Sequence, residues 1–299
     1  MQNKNIHNLN YSEMKGKALY NPNGKANEYS QWAVNFFTGC SNDCDYCYLK
    51  RGVLSHVWDN KPHLKKVFTD YNDALKTFEK ELLANRTRVR VEGGVLFSFS
   101  TDPCLPSTFP LTRKAALFAI DCGVPVTILT KVSDTHWLNH AFNPDWEKYF
   151  DTDKKDTRNI FDIFVNRGLL CIGFTLTGHD EMENGASTNE LRISGLDYIH
   201  SRGIKTFASI EPIIDFKSSL SMIRKAAPYC DLFKIGLMSG VGSSYYDIKE
   251  LESFMSDAND IISSNGRKVY WKDSIRKYPV ANKYINASCS VSSKFSLFH

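Results

Sequence analysis

Three cysteines lie close together in the segment FFTGCSNDCDYCYLKRG. Cys40, Cys44 and Cys47 follow the pattern C-x3-C-x2-C, directly after an apolar run. Thiolates are soft ligands that suit iron–sulfur clusters or zinc. Three thiolates on one loop leave one iron of a cubane cluster without a protein ligand, so a small molecule can bind that iron, receive an electron and react. The spacing therefore favours a [4Fe–4S] cluster with an open coordination site.

Two other roles of these cysteines are open from the residues alone, a zinc site and inert thiols. A structural zinc site has four ligands and usually a second Cys/His pair, and neither His56 nor His63 completes such a spacing. Ferredoxin-type clusters use a C-x2-C-x2-C run, which differs from this one. The other cysteines are scattered and are expected to be small buried hydrophobic residues: Cys104, Cys122, Cys171, Cys230 and Cys289.

The composition is that of a soluble globular protein, with 42% hydrophobic and 23% charged residues in a chain of 299. No run approaches the ~18 apolar residues that a membrane span needs, and the first residues, MQNKNIHNLNYSEMKGK, have no apolar signal region. Eight cysteines suit a reducing compartment, so we expect a cytoplasmic protein. The formal charge of +4 permits an anionic partner without requiring one.

Apolar runs alternate with segments of helical periodicity along the chain. The runs predict strands at 32–37, 94–100, 124–130, 169–177, 204–213 and 232–240, with a seventh at 268–275. Helices are predicted at 64–85, 111–122, 145–167, 188–202, 217–229 and 246–264. This alternation indicates βα units in an α/β fold, either a closed or partly closed barrel or a doubly wound open sheet. Both architectures bind ligands at the carboxyl ends of the strands.

The same patterns predict the organisation of the chain. We expect an N-terminal leader over 1–30, a barrel over 31–275 and a C-terminal tail over 276–299, with the last fifteen residues weakly structured. The segment 131–168 is longer than a simple βα connection needs, and we expect it to cover the barrel rim or to line a substrate channel.

The cysteine motif, with Tyr46 before its third cysteine, resembles the signature of the radical S-adenosylmethionine (SAM) superfamily. The segment ALYNPNGKANEYSQWAVNFFTGCSNDCDYCY is similar to the spore photoproduct lyase and "DNA repair photolyase" branch, and further likeness follows in order in FSFSTDP, TILTK, FTLTGHDE and SIEPII. The resemblance covers roughly residues 18–240. It implies a partial (β/α)6 barrel of the TIM type. The matching leader residues are Tyr20, Pro22, Gly24, Lys25, Ala26, Glu28, Tyr29 and Gly39.

This resemblance implies two cofactors, a [4Fe–4S] cluster and S-adenosyl-L-methionine. Cys40, Cys44 and Cys47 would ligate three irons, and SAM would chelate the fourth. An electron from a flavodoxin- or ferredoxin-type donor would cleave SAM to methionine and a 5′-deoxyadenosyl radical, which abstracts hydrogen from the substrate. The chain would therefore be an enzyme of the lyase or oxidoreductase type.

The resemblance also implies cofactor-binding residues around the cysteines. Tyr46 would stack on the adenine, and its ordinary alternative is a loop aromatic packed on the core. Ser100, Thr101 and Asp102 follow the second strand and would hydrogen-bond the ammonium group of SAM. The sequence STDP is also a common turn or helix-cap signal, and both readings can hold together.

Four further residues stand at or near strand ends. Lys131 would pair with the carboxylate of SAM or be a solvated loop lysine, and Thr175 would bond the carboxylate or the ribose or be an ordinary strand residue. Glu211 would contact SAM or the substrate. Cys104 is a candidate catalytic hydrogen donor, although it follows the Ser/Thr-Asp element, whereas the corresponding cysteine of spore photoproduct lyase precedes it. This shift leaves the thymine-dimer chemistry of the lyase unassigned.

Three hypotheses for function follow. A radical SAM enzyme acting on nucleic acid agrees with the resemblance and with basic residues such as Arg86, Arg88 and Arg90. The alternative keeps the cofactors but takes a small molecule, peptide or protein side chain as substrate. A second alternative is a zinc-stabilised nucleic-acid-binding module without redox chemistry.

Overall fold

The computed structural model describes residues 15–51, 55–133 and 168–298. The helix predicted at 145–167 and most of the predicted rim segment 131–168 lie outside the described residues.

Most of the strands in the described residues belong to one sheet of eight, in the order β1-β2-β5-β6-β7-β8-β9-β10, and β3 and β4 form a small second sheet. From β2 to β10 every neighbouring pair in the large sheet is parallel, and β1 alone pairs antiparallel, with β2. Within the described residues the two edge strands, β1 and β10, are not paired with each other, so the barrel is open at this point and only partial. The strands are β1 (Leu19–Tyr20), β2 (Ala33–Val34), β3 (Phe37–Thr38), β4 (His63–Leu64), β5 (Val95–Phe97), β6 (Val126–Thr130), β7 (Leu170–Thr175), β8 (Lys205–Ile213), β9 (Leu232–Leu237) and β10 (Lys268–Trp271).

Helices alternate with the parallel strands in the described part of the chain, as the pattern predicts, and two short helices follow the last strand; the connection from β6 to β7 lies outside the described residues. They are α1 (Tyr71–Val91), α2 (Phe109–Asp121), α3 (Asn189–Ser201), α4 (Phe216–Ala226), α5 (Ile248–Ser264), α6 (Asp273–Arg276) and α7 (Asn282–Ile285). Short 3-10 helices lie at Gly24–Ala26, Tyr48–Lys50, Ser55–Val57, Asp180–Met182, Ala227–Tyr229, Ser243–Tyr245 and Pro279–Ala281. None of the described helices is both long enough and apolar enough to cross a membrane.

A strand forms within each predicted run, but the seventh, predicted at 268–275, ends at Trp271 because α6 begins at Asp273. The first predicted helix also begins late. The pattern placed its start at 64, whereas α1 begins at Tyr71 because His63–Leu64 pairs with Phe37–Thr38 as β4. Asp70 caps the helix by accepting a hydrogen bond of 2.8 Å from the backbone N–H of Asp73. Gly203 follows α3 with a φ of 76°, a left-handed conformation that glycine adopts without strain.

The C-terminal residues pack across the amino-terminal end of the barrel. Cys171, Phe207 and Leu232 form a buried cluster there, and Leu297 and Phe298 pack against it. We expected a weakly structured tail, but its apolar side chains cover an opening where the strands begin. Burying apolar surface in this way is favourable, so the tail closes the bottom of the barrel.

The leader closes the gap between the two edges of the sheet. The Glu28 carboxylate accepts hydrogen bonds from the Tyr270 hydroxyl at 2.9 Å and from the Asp273 N–H at 2.7 Å. The next residue, Tyr29, donates to Glu211 on β8 at 2.6 Å. These bonds connect the leader to β8 and to β10 with the turn after it, so Glu28 and Tyr29 are part of the barrel wall.

Candidate active site

A cavity of about 460 Å³ opens at the carboxyl ends of the parallel strands. This is the edge of an α/β sheet at which ligands bind. Most of the residues predicted from the sequence line it: Cys40, Cys44, Tyr46, Cys47, Thr101, Asp102, Lys131, Thr175 and Glu211. The fold therefore brings together residues that are up to 171 positions apart in the chain, since Cys40 and Glu211 face one cavity.

The cysteine loop is held by a neighbouring segment that the sequence did not indicate. The N–H of Asp45 donates to the Met182 carbonyl at 2.9 Å, and the N–H of Gly185 donates to the Asn42 carbonyl at 3.0 Å. A Cβ on Gly185 would lie 1.9 Å from the Ser41 carbonyl oxygen. Only glycine permits this approach, so residues 182–185 and the loop form one packed unit.

The three thiols differ in their surroundings. Burial, and after it the nearby Asp102 carboxylate, raise the pKa of Cys40 to about 12. Burial also raises the pKa of Cys44. Iron and zinc bind the thiolate, so metal binding at this loop must release protons.

The described residues contain no group of three or more His, Cys, Asp or Glu side chains placed to hold a single metal ion. A tetrahedral zinc site needs its ligands around one point. In a four-iron cluster each thiolate binds a different iron, so the sulfur atoms need not converge on one ion. Cys40, Cys44 and Cys47 all line the one cavity.

Asp102 connects the cysteine loop to two strands. Its two carboxylate oxygens accept from the Asn42 side-chain amide at 2.8 Å, the Thr130 hydroxyl at 2.7 Å, the Lys131 N–H at 2.7 Å and the Cys104 N–H at 2.9 Å. A carboxylate has about four acceptor positions, so these partners occupy them. Asp102 therefore anchors the loop to the ends of β5 and β6.

Two buried polar atoms beside Asp102 have no partner among the described residues. They are Oδ1 of Asn42 and the hydroxyl of Thr101. Both residues are less than a tenth exposed and both line the cavity. Buried polar groups are normally hydrogen-bonded, so this acceptor and this hydroxyl are available to a polar ligand.

A buried ion pair lies behind Tyr46. Its hydroxyl donates to the Glu183 carboxylate, which also pairs with Arg192. The Arg192 side chain is fully buried and donates to the Thr175 carbonyl at 2.5 Å. The Lys131 ammonium lies 5.4 Å from the centre of the Tyr46 ring. The ring is thus fixed at the cavity wall, where its proposed role in stacking on adenine stays a prediction.

Two predicted residues are not brought to the cavity. Ser100 is buried and its hydroxyl donates to the Phe37 carbonyl at 2.5 Å. Cys104 is only 3% exposed, and burial followed by the nearby Asp102 charge raises its pKa well above the usual range. The geometry gives no support to Cys104 as a hydrogen donor, which remains a prediction.

The cavity wall contains a second polar group around Tyr29 and Glu211, which we call the Tyr29 end. Glu211 accepts from the Tyr29 hydroxyl at 2.6 Å and from the Lys272 ammonium at 2.5 Å. Lys272 also lies 3.4 Å from Glu28 and is 1% exposed. A Cβ on Gly236 would lie 2.9 Å from a Glu211 oxygen, so glycine makes room for this side chain.

Sequence reasoning missed most of the Tyr29 end. Glu28 and Tyr29 were singled out only through the family resemblance, and Lys272 was not singled out at all. Their positions depend on how the leader crosses the open edge of the sheet, which periodicity does not reveal. A possible signal was the polar Lys272 directly after the apolar run that forms β10.

Four aromatic side chains also line the cavity. Tyr48, Trp58 and Phe99 line the cavity together with Tyr29. Tyr29 and Phe99 pack edge to face with their ring centres 6.2 Å apart. Flat apolar walls of this kind favour a planar ligand.

Comparison with known proteins gives structural matches only. No family model matches the sequence, and the search of curated proteins gives no match. A cysteine-to-serine mutant of spore photoproduct lyase aligns with a TM-score of 0.56 and 14% identity over 88% of this chain and 79% of that one. A double mutant of the lyase "with bound AdoMet and dinucleoside spore photoproduct" aligns at 0.50 and 14%, over 79% of this chain and 61% of that one.

A third match is Streptococcus suis SuiB bound to S-adenosylmethionine, with a TM-score of 0.50 and 12% identity over 81% of this chain and 52% of that one. The alignments thus span less than two thirds of the SuiB chain and of the ligand-bound lyase mutant. The likeness to the spore photoproduct lyase branch, inferred from sequence motifs, is confirmed at the level of the fold. The chain has the partial α/β barrel of these structures.

Proposed function

We propose that this protein is a radical SAM enzyme in which Cys40, Cys44 and Cys47 hold a [4Fe–4S] cluster. The observation behind the proposal is the shared cavity, in which the three thiols face a polar wall at the carboxyl ends of the strands. The structural likeness to two proteins solved with SAM bound supports it.

When bound, the cluster supplies the electron that splits SAM into methionine and a 5′-deoxyadenosyl radical able to abstract hydrogen. The residues of this chain bind and orient the reactants. Oδ1 of Asn42 can accept from the SAM ammonium group, and the Thr101 hydroxyl can donate to its carboxylate, since both atoms lack other partners in the described residues. Lys131 supplies a positive charge beside the Tyr46 ring.

Asp102 takes a different role from the one implied by the resemblance. Its oxygens are engaged by four donors of the protein itself. We therefore assign it to positioning the cysteine loop and the Lys131 backbone. Direct bonding to the SAM ammonium would require it to give up one of these partners.

For the substrate we favour nucleic acid. The aromatic wall of Tyr29, Tyr48, Trp58 and Phe99 suits a planar base, and the lyase matches include complexes with a dinucleoside spore photoproduct. The arginines of α1 do not contribute to this argument. Arg86 bonds the Cys122 carbonyl, and Arg88 pairs with Glu92, at the end of α1 that leads into the start of β5 and away from the cavity.

A small molecule or peptide substrate is the second candidate, favoured by the enclosed polar group at the Tyr29 end. Deuterium-labelled candidates distinguish the two, because abstraction transfers deuterium into 5′-deoxyadenosine. Nucleic-acid binding should also weaken steeply with salt as counterions are released. The third candidate, a zinc-stabilised module, predicts a colourless protein with stoichiometric zinc.

The test of the function is reductive cleavage of SAM by the reconstituted protein. With dithionite as electron source we expect release of 5′-deoxyadenosine, measured by chromatography, and loss of the product in Cys40→Ala, Cys44→Ala and Cys47→Ala variants. Cys122→Ala, at a half-buried thiol outside the cavity, is the matched control. Full cleavage by the Cys44→Ala variant would refute the assignment. In the cell we expect a flavodoxin- or ferredoxin-type protein to donate the electron.

A further inference from the structure

The Glu211 carboxylate is bonded on one oxygen only. The Tyr29 hydroxyl and the Lys272 ammonium both bond its Oε2, at 2.6 and 2.5 Å, whereas Oε1 has no hydrogen-bond donor among the described residues. The Glu211 side chain is 15% exposed and lines the cavity. A carboxylate has about four acceptor positions, and buried charged groups are normally hydrogen-bonded. One acceptor oxygen at the cavity wall is therefore open to a ligand.

The groups around Glu211 fix which oxygen stays open. The Tyr29 hydroxyl also lies 2.6 Å from the Ser209 hydroxyl. Because a carboxylate only accepts, the single hydroxyl proton of Tyr29 goes to Glu211, and Ser209 donates to Tyr29. Burial, followed by the Glu211 charge, raises the pKa of Tyr29 well above its usual range, so the phenol keeps this proton. Gly236 lies beside Oε1, and its lack of a side chain leaves room around that oxygen.

We propose that Oε1 of Glu211 binds the substrate, by accepting a hydrogen bond from an N–H group at the edge of a nucleobase. The inference rests on the proposed function and deepens it, because it names the group through which the favoured substrate is recognised. A base whose N–H groups are methylated leaves the carboxylate oxygen buried and unpaired. Glu211 therefore selects a base that keeps its N–H donor.

The bonding of the Tyr29 end favours the substrate over SAM as the ligand of this oxygen. The atoms proposed to bind SAM belong to Asn42, within the cysteine loop, and to Thr101, next to its anchor Asp102. The side-chain hydrogen bonds of Glu211 and its two donors join the leader, β8 and the residue after β10. Among the described residues none of these bonds reaches residues 40–47. The open oxygen thus belongs to a part of the cavity wall that is built separately from the cysteine loop.

The aromatic rings beside Glu211 favour a nucleobase over a peptide. Tyr29, which donates to Glu211, packs edge to face with Phe99, and both rings line the cavity. Stacking on aromatic side chains tolerates every base, because each base has a flat face. A hydrogen-bond acceptor next to such rings adds a contact to the edge of the base, and an edge contact depends on which groups the base carries.

The test is binding of fluorescently labelled trinucleotides to the reconstituted protein in the presence of SAM, measured by anisotropy. Trinucleotides of uracil, adenine, cytosine or guanine are each paired with a form in which methyl groups replace the N–H hydrogens of the base. We expect the wild type to bind the unmethylated member of at least one pair about tenfold more tightly, because methylation removes a hydrogen bond to a charged group.

The Glu211→Gln variant should lose this preference. Its amide oxygen stays with Tyr29 and Lys272, because both of them donate, so the amide nitrogen takes the place of Oε1. A donor then faces the donor of the base. Lys272 keeps Glu28 as a partner at 3.4 Å, so we expect the variant to fold, which its melting temperature checks. Glu190→Gln, at an exposed carboxylate of α3, is the matched control and should keep the preference.

Equal binding of both members of every pair by the wild type would overturn the inference. A preference that survives in Glu211→Gln while SAM binding weakens would assign the oxygen to SAM and overturn it as well. Binding of an acetylated tetra-alanine amide that Glu211→Gln loses, without binding of any trinucleotide, would assign the oxygen to a peptide instead of a base. Failure of the wild type to cleave SAM even with dithionite would overturn the proposed function, a result that is separate from the binding comparison.

Discussion

The Asp102 carboxylate accepts a hydrogen bond of 2.8 Å from the side-chain amide of Asn42. Asn42 lies between the first and second cysteines, and Asp102 follows β5 and also bonds Thr130 and Lys131 at the end of β6. One buried carboxylate thus sets the position of the cysteine loop relative to the parallel strands.

Replacing the anchor should both destabilise the protein and loosen the loop. Asp102→Asn turns one acceptor oxygen into a donor that faces other donors, and unsatisfied buried groups of this kind cost about 1–3 kcal/mol. We expect the free energy of unfolding, measured by urea denaturation, to fall by this amount. We also expect a lower iron content after reconstitution. Asp197→Asn, at an exposed position of α3, is the control. Equal behaviour of the two variants would show that Asp102 is not an anchor.

The close approach of Gly185 to the Ser41 carbonyl should make the cysteine loop sensitive to substitution of this glycine. Gly185→Ala would place a methyl group 1.9 Å from the Ser41 carbonyl oxygen, so the cysteine loop must move. We expect about 1–3 kcal/mol of destabilisation from overpacking and reduced binding of iron and sulfide. Gly242→Ala, where the nearest atom would be 3.9 Å away, should bind iron normally. Wild-type iron binding by Gly185→Ala would contradict the packing described here.

The charge network at the Tyr29 end should behave as a coupled unit. Lys272→Met leaves the Glu211 carboxylate without its buried cation, and breaking such a pair costs about 3–5 kcal/mol. Adding Glu211→Gln should recover part of this loss, a coupling of about 0.5–3 kcal/mol in a double-mutant cycle. Lys225→Met, which breaks an exposed pair with Glu190, should cost less than about 1 kcal/mol. Strictly additive effects of the two buried substitutions would exclude the coupling.

His179 should make stability depend on pH. Partial burial lowers its pKa, but hydrogen bonds to Glu181 at 2.6 Å and to Asp215 at 2.5 Å outweigh this and raise it overall. Because the pKa is higher in the folded state, the stabilisation is complete below the unfolded value of about 6.5 and is lost as the pH rises through the folded value.

The measurement for His179 is the melting temperature of wild type and His179→Gln across pH. The gap between them should be larger near pH 5.5, below the ordinary histidine pKa of about 6.5, than near pH 9. His200→Gln, whose ring is 4.0 Å from Asp231, serves as the control. A gap that stays constant or widens as the pH rises would contradict the proposed ion pairs.

Much of the fold was predictable because the spacing of apolar residues along the chain is a local property of the sequence. The apolar runs located the parallel strands, including β10, and the segments of helical periodicity between them located α2 and α3 to within two residues. The cysteine spacing located the loop, and polar residues after the strands, such as Thr175, located its neighbours at the cavity.

The remainder depends on contacts between distant parts of the chain. The anchoring role of Asp102 requires Asn42, 60 positions away, and the Tyr29–Glu211 bond spans 182 positions. Cys104 is only two positions after Asp102, which lines the cavity, yet the Cys104 side chain is buried in the core. The path of the tail over the barrel base follows from apolar surface left open by β7, β8 and β9, which becomes visible only once the strands are assembled.

The most direct test of the central claim is an electron paramagnetic resonance spectrum of the reduced, anaerobically reconstituted protein, recorded with and without SAM. We predict the signal of a [4Fe–4S]⁺ cluster, with a spectrum that changes when SAM is added because SAM binds the iron that lacks a protein ligand. A colourless, signal-free protein with stoichiometric zinc, or a cluster spectrum that SAM leaves unaltered, would contradict the account.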